Sequence, residues 1–209
     1  MRLIISCLIL FSFSASTAQD SLTYPQWSVT VKPLGIIDPF LPNLMGGVQC
    51  RINEKFAVEL NAGVIRSLAN VFSSDDESEI KITGFKLSGE VKYFMLRNFY
   101  FSLQLFYNDY LKTNKEYVWR YAEQYQQELK IKKFKTVTGG HLKAGYVIRQ
   151  RKKLFFEAYG GIGIRFRNTR IKGYPEDATL IRGTGLLRDK AGNEVLPSVS
   201  FGGTIGYRF

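Results

Sequence analysis

The last twelve residues place Val199, Phe201, Gly203, Ile205, Tyr207 and Phe209 on one parity and Ser198, Ser200, Gly202, Thr204, Gly206 and Arg208 on the other. A period of two is that of a β-strand with unlike faces, and no helix brings either set onto one side. Three earlier segments repeat the pattern. Phe56, Val58, Leu60, Ala62 and Val64 alternate with Ala57, Glu59, Asn61 and Gly63. Phe99, Phe101, Leu103, Leu105 and Tyr107 alternate with Tyr100, Ser102, Gln104, Phe106 and Asn108. Leu154, Phe156, Ala158, Ile162, Ile164 and Phe166 alternate with Phe155, Glu157, Tyr159, Arg165 and Arg167. Segments 26–35, 44–52, 80–94 and 132–149 follow the rule more loosely, which makes eight in all. Many run to about ten residues or more, roughly twice the usual globular strand.

The connections are asymmetric. Residues 53–55, 96–98 and 150–153 are tight, while 36–43, 68–79, 113–131 and 173–197 are longer and more polar. Short turns at one end and long loops at the other are the plan of an eight-stranded antiparallel up-and-down transmembrane β-barrel. An even number of strands returns both chain ends to the turn side. Outside the first two dozen residues no apolar run approaches the roughly 18 residues of a spanning helix, so a helical membrane protein is excluded.

The first 18 residues read Arg2, an apolar run Leu3 to Phe13, then Ser16-Thr17-Ala18, the layout of a secretory signal peptide. Cleavage after Ala18 leaves 19–209 as one barrel domain. Ile4-Ile5-Ser6-Cys7 faintly resembles a lipid-attachment site, but the apolar run continues past Cys7. Removing the leader takes away Cys7, so the remaining Cys50 has no partner for an intramolecular disulfide. Loss of Arg2 lowers the formal charge from +11 to +10.

A soluble lipocalin-like lipid carrier shares the strand pattern but turns its apolar face inward. Here the polar face is rich in Gly, Ser, Asn and Gln and carries both signs of charge, which suits a filled polar interior. Aromatics cluster near the strand ends of the apolar face: Trp27, Phe56, Tyr93, Phe99, Phe101, Tyr146, Phe156 and Tyr207 towards the turns, and Tyr107, Phe134 and Phe166 towards the loops. Two such belts suit the two interfaces of a bilayer. The chain stops on that face at Tyr207-Arg208-Phe209, which resembles the C-terminal assembly signal of Gram-negative outer-membrane barrels. From about residue 26 to 209 the chain resembles the small eight-stranded outer-membrane proteins of the OmpA and OmpX type. The resemblance implies a monomer in a Gram-negative outer membrane, facing lipid and lipopolysaccharide and folded by the barrel-assembly machinery. It implies no cofactor and no nucleic-acid partner.

With the polar face inward, Glu59, Glu90 and Glu157 fall at similar depth near the tight turns and share the lumen with Arg51, Lys86, Lys92, Lys143, Arg149, Arg165, Arg167 and Arg208. Charges withdrawn from water must pair, so a salt-bridge network closing the barrel is expected, with an ion or proton path as the rival. His141, the only histidine, lies in phase with Lys143 and is expected as a packed lumen residue. It lacks an in-phase serine nearby in its own segment, and no phosphate loop, nucleophile elbow or zinc-protease helix occurs. No metal or catalytic site is therefore expected. Gly160, Gly161 and Gly163 read as strand glycines that admit bulky neighbours.

The loops remain. Asp75, Asp76, Glu77 and Glu79 form a solvated acidic loop, with divalent-cation capture as the alternative. Tyr117, Trp119, Arg120, Tyr121 and Tyr125 interleave aromatics and cations as a candidate surface contact, on either a short helix or an extended strand pair. Arg170, Lys172, Arg182, Arg188 and Lys190 are placed to meet anionic lipopolysaccharide, around a turn at Asp189-Lys190-Ala191-Gly192-Asn193. The leading expectation is a structural or surface-interaction barrel that is not an enzyme. A small-solute channel and a lipid A-modifying enzyme are the alternatives.

Overall fold

The computed structural model describes residues 24–33, 43–66, 80–120, 125–151, 153–173, 179–180 and 191–209. The leader expected at 1–18, the acidic loop residues Asp75, Asp76, Glu77 and Glu79, and Arg182, Arg188 and Lys190 lie outside them. Among the described residues every regular element is a strand: β1 (Gln26–Lys32), β2 (Asn43–Arg51), β3 (Phe56–Arg66), β4 (Ile80–Phe94), β5 (Phe99–Arg120), β6 (Tyr125–Arg151), β7 (Leu154–Lys172), β8 (Thr179–Leu180) and β9 (Gly192–Arg208). Eight are long and antiparallel to their neighbours. Each pairs with the next in sequence, β7 pairs with β9, and β9 pairs with β1, which closes the ring.

The register fixes the stagger. Arg208 pairs with Ser28, and the ladder runs on through Gln49, Glu59, Glu90, Gln104, His141 and Gly163 to Ser198, ten residues further along the strand it left. A shear of ten in eight strands requires tilted strands and leaves an interior just wide enough for side chains. Closure also removes every sheet edge within the ring.

The two faces are inverted relative to a protein in water. Leu60, Leu142, Ile162, Val199 and Phe201 face outward and are 66–80% exposed. Glu59, Glu90, Glu157, Lys92 and Lys143 face inward and are at most 3% exposed. Both belts of aromatics face outward, Phe99 half-buried and the rest exposed. The interior also has apolar layers. Ala57, Phe94, Tyr100, Val147 and Phe155 form a cluster at the turn end. Met45, Ile65, Ile82 and Ile131 are buried nearer the loop end.

Several boundaries move. The connection expected at 113–131 is largely strand, because β5 and β6 stay paired from Lys115↔Lys130 to Arg120↔Tyr125. The extended alternative is realised and the helical one is not, since antiparallel pairing satisfies the backbone groups that a helix would have paired internally. The connection expected at 173–197 loses its end to β9, where Gly192 to Pro197 pair with Thr169 to Ile164. Inside it, β8 pairs with Val118 and Trp119. Of the turn expected at 189–193, residues 189 and 190 lie outside the described residues, and β9 starts at Gly192, whose φ of 115° suits glycine. β1 ends at Lys32, short of the expected residue 35.

Candidate functional site: a charge chain in the lumen

Six inward side chains from five strands form one alternating chain. Lys143 Nζ lies 2.7 Å from Glu90 Oε2, and Glu90 Oε2 lies 3.6 Å from Lys32 Nζ. Lys32 Nζ lies 3.1 Å from Glu59 Oε1. Lys92 Nζ then joins Glu59 Oε2 and Glu157 Oε2, each at 2.7 Å. All six side chains are no more than 6% exposed. Three cations balance three anions, which is what water-poor burial requires. Neutral donors and acceptors add to these contacts. Thr30 Oγ1 donates to Glu59 at 3.2 Å, Ser102 Oγ to Glu90 at 2.7 Å, and Tyr100 OH to Glu157 at 3.2 Å, while Lys92 also donates to Gln49 Oε1 at 2.8 Å. The rings of Tyr100 and Tyr159 lie 5.0 Å from Lys92 Nζ and 4.3 Å from Lys143 Nζ.

Inner glycines make room for these groups. Tyr100 lies across Gly145, where a Cβ would run into its ring, and His141 lies against Gly163 in the same way. Gly161 likewise accommodates Lys143, whereas Gly160 faces outward with nothing against it, so the bulky-neighbour reading holds for two of that trio.

The expected lumen residues do not all join the chain. Lys86 is half-buried on the inner phase of β4 and is not one of the six. Arg165 is half-buried, and its buried Nε has no hydrogen-bond partner among the described residues. Arg167 pairs with Glu194 nearer the loop end. Arg208 and Arg51 sit at the turn-side mouth. Arg149 is displaced in register. A bulge at Ile148 puts it opposite the outward-facing Phe156, so the phase that aligned it with Lys143 does not persist, and its side chain lies outside the described set. Sequence reasoning missed Lys32. The signal was available, because Ser28, Thr30 and Lys32 alternate with Val29 and Val31.

His141 is 7% exposed and stacks on Phe106 with ring centroids 4.8 Å apart. Its Nε2 lies 2.8 Å from Ser198 Oγ and its Nδ1 3.3 Å from Gln104 Oε1. The in-phase serine that its own segment lacks thus comes from β9, 57 residues away. A serine–histidine pair has the distance for nucleophile activation. Here both partners face a filled lumen.

Beyond the barrel wall, β5 and β6 continue past their outer neighbours, since β4 ends opposite Asn114 and β7 opposite Lys132. Tyr117, Trp119 and Arg120 fall on this ribbon in β5, and Tyr125 on β6. Tyr121 lies outside the described residues, as do the side chains of the other four. Arg170 and Lys172 are exposed near the loop end of β7. Tyr207 and Phe209 face outward with ring centroids 5.8 Å apart, and Phe209 N donates to Trp27 O at 3.1 Å.

No protein-family model matches this chain. No curated protein matches it either. Among solved structures it is similar to CarO of Acinetobacter baumannii, at 14% identity and a TM-score of 0.41 over 91% of this chain and 99% of that one. It is also similar to a major outer membrane protein from Thermus thermophilus, at 11% identity and a TM-score of 0.42 over 90% of this chain and all of that one.

Proposed function

We propose that this chain is an integral outer-membrane β-barrel with a closed lumen, acting as a structural or surface-interaction protein rather than a pore or an enzyme. The inverted distribution of side chains carries the reading. A belt that leaves Leu60, Ile162 and Phe201 66–80% exposed has no stable place in water. Around it, hydrocarbon is the matching solvent. The balanced chain of Lys32, Lys92, Lys143, Glu59, Glu90 and Glu157 fills the lumen with mutually committed groups and leaves no carboxylate of the three to bind a passing ion. Lipid and lipopolysaccharide are then its immediate partners, and the β5–β6 ribbon is the element best placed to touch a surface ligand. Burial of His141 under Phe106 argues against the lipid A-modifying alternative, whose substrate arrives from the membrane. The test is electrophoresis in SDS of the detergent-purified protein, unheated and boiled. A shift in mobility on boiling is expected, and a water-soluble chain with no shift overturns the reading.

A further inference from the structure

At the turn end of the barrel a cavity of about 370 Å³ lies between the β2–β3 and β4–β5 turns. Arg51, Lys55, Arg97 and Arg208 line it, with Glu54 as the one carboxylate. Among the described residues none of the four cations has a carboxylate partner. The contrast with the lumen is direct. Charge is balanced in the closed centre and unbalanced at the mouth below it.

Two features make the cavity a built site. Arg51 is fixed in place: its Nη2 donates to Glu54 O at 2.8 Å, its Nε to Asn53 O at 3.4 Å, and its guanidinium carbon lies 4.3 Å from the centroid of the buried Phe94 ring. A guanidinium held before any ligand arrives loses little entropy on binding one. Arg51 and Arg208 line the same cavity and repel each other, a repulsion that Glu157 offsets in part and that an anion bound in the cavity would lessen further. Beside the cations, Phe94, Met95 and Leu96 supply an apolar wall, with Met95 and Leu96 59% and 66% exposed.

We infer that this cavity binds a phosphate group carried on an apolar moiety. Four cations against one carboxylate match a group of charge about −1.5 to −2 better than a single carboxylate, and guanidinium forks bind phosphate oxygens in pairs. The phosphate can come from a soluble phosphomonoester or from a lipid head group at the membrane surface. The inference needs the mouth alone and does not rest on the closed lumen.

Calorimetric titration of the mature protein in maltoside micelles tests it, with phenyl phosphate, inorganic phosphate and dihexanoyl phosphatidylglycerol as probes. Saturable binding of phenyl phosphate or of the lipid is expected. Arg208→Gln and Arg97→Gln should each weaken it about tenfold, as loss of one charge-assisted contact does, while Lys153→Gln, outside the cavity, should leave it unchanged. Tighter binding of the lipid identifies the head group as the source, and tighter binding of phenyl phosphate a soluble ligand. The boiling shift in SDS checks that each variant is folded. Absence of saturable binding, or equal binding by folded Arg208→Gln and Arg97→Gln, overturns the inference.

Discussion

Lys92 ties Glu157 to the rest of the lumen chain, since its one ammonium bridges Glu59 and Glu157 at 2.7 Å each and reaches Gln49 as well. Removing it leaves two carboxylates without their shared cation at sites 0–1% exposed. Lys92→Ala should therefore cost about 3–5 kcal/mol, the usual penalty for orphaning a buried charge. A lower urea midpoint in micelles would register it. Adding Glu157→Gln alone should recover most of the loss, because Glu59 keeps Lys32 at 3.1 Å and two lysines then face two glutamates; no recovery would mean that Lys92 acts through packing alone. At this scale alternation was a good guide wherever the strand was regular. Glu59, Glu90 and Glu157 lie on the inner face that their parity indicates. Arg149 does not keep phase with Lys143, because the bulge at Ile148 adds a residue that nothing in Val147-Ile148-Arg149 announces. Ser198 was out of reach for another reason, since its contact with His141 depends on the register of β9 and on closure of the ring.

For the strands the deciding quantity is which solvent their outer face meets. Leu60, 66% exposed and four residues above the outward Phe56 in β3, falls near the middle of the apolar belt. Leu60→Arg should destabilise the barrel by about 2–4 kcal/mol if that face meets hydrocarbon, measured by denaturant unfolding in bilayers. In water the same change would be close to neutral, so a null result argues for a soluble barrel. The β5–β6 ribbon differs, because it stands beyond β4 and β7 and gains little from the ring. Its one further partner is the two-residue β8 at Val118 and Trp119, and so small a sheet is marginal by itself. Replacing residues 117–128 with a short Asn-Gly turn should keep the boiling shift and the unfolding midpoint while removing any surface-ligand binding. A lost shift would make the ribbon part of the folding core. Strand number and ring order followed from periodicity, which is local. The limits of β5, β6 and β9 did not, since Lys115, Lys130 and Asn193 are polar and their strand state comes from pairing with one another and with Asn168.

Seen whole, the molecule is a ring of tilted strands around a lumen crossed by a neutral chain of three lysines and three glutamates, with apolar side chains towards both ends. Conduction would need a continuous water path, and the chain's members are committed to one another at 2.7–3.6 Å. Planar bilayers holding the intact protein should therefore show no steady open level. The same arrangement says how to make one appear. Glu59→Gln with Glu157→Gln removes two of the three carboxylates and leaves Lys32, Lys92 and Lys143 facing Glu90. Lys92 loses both of its ion-pair partners, and buried uncompensated cations draw in water and counter-ions. The double variant should conduct, and its current should be carried by anions, with a reversal potential under a salt gradient shifted towards the chloride value. Lys92→Met added to it should remove the focus of positive charge and reduce that selectivity. A large steady conductance from the unmodified chain would mean that its lumen is open. A silent or cation-selective double variant would mean that something other than these charges closes it.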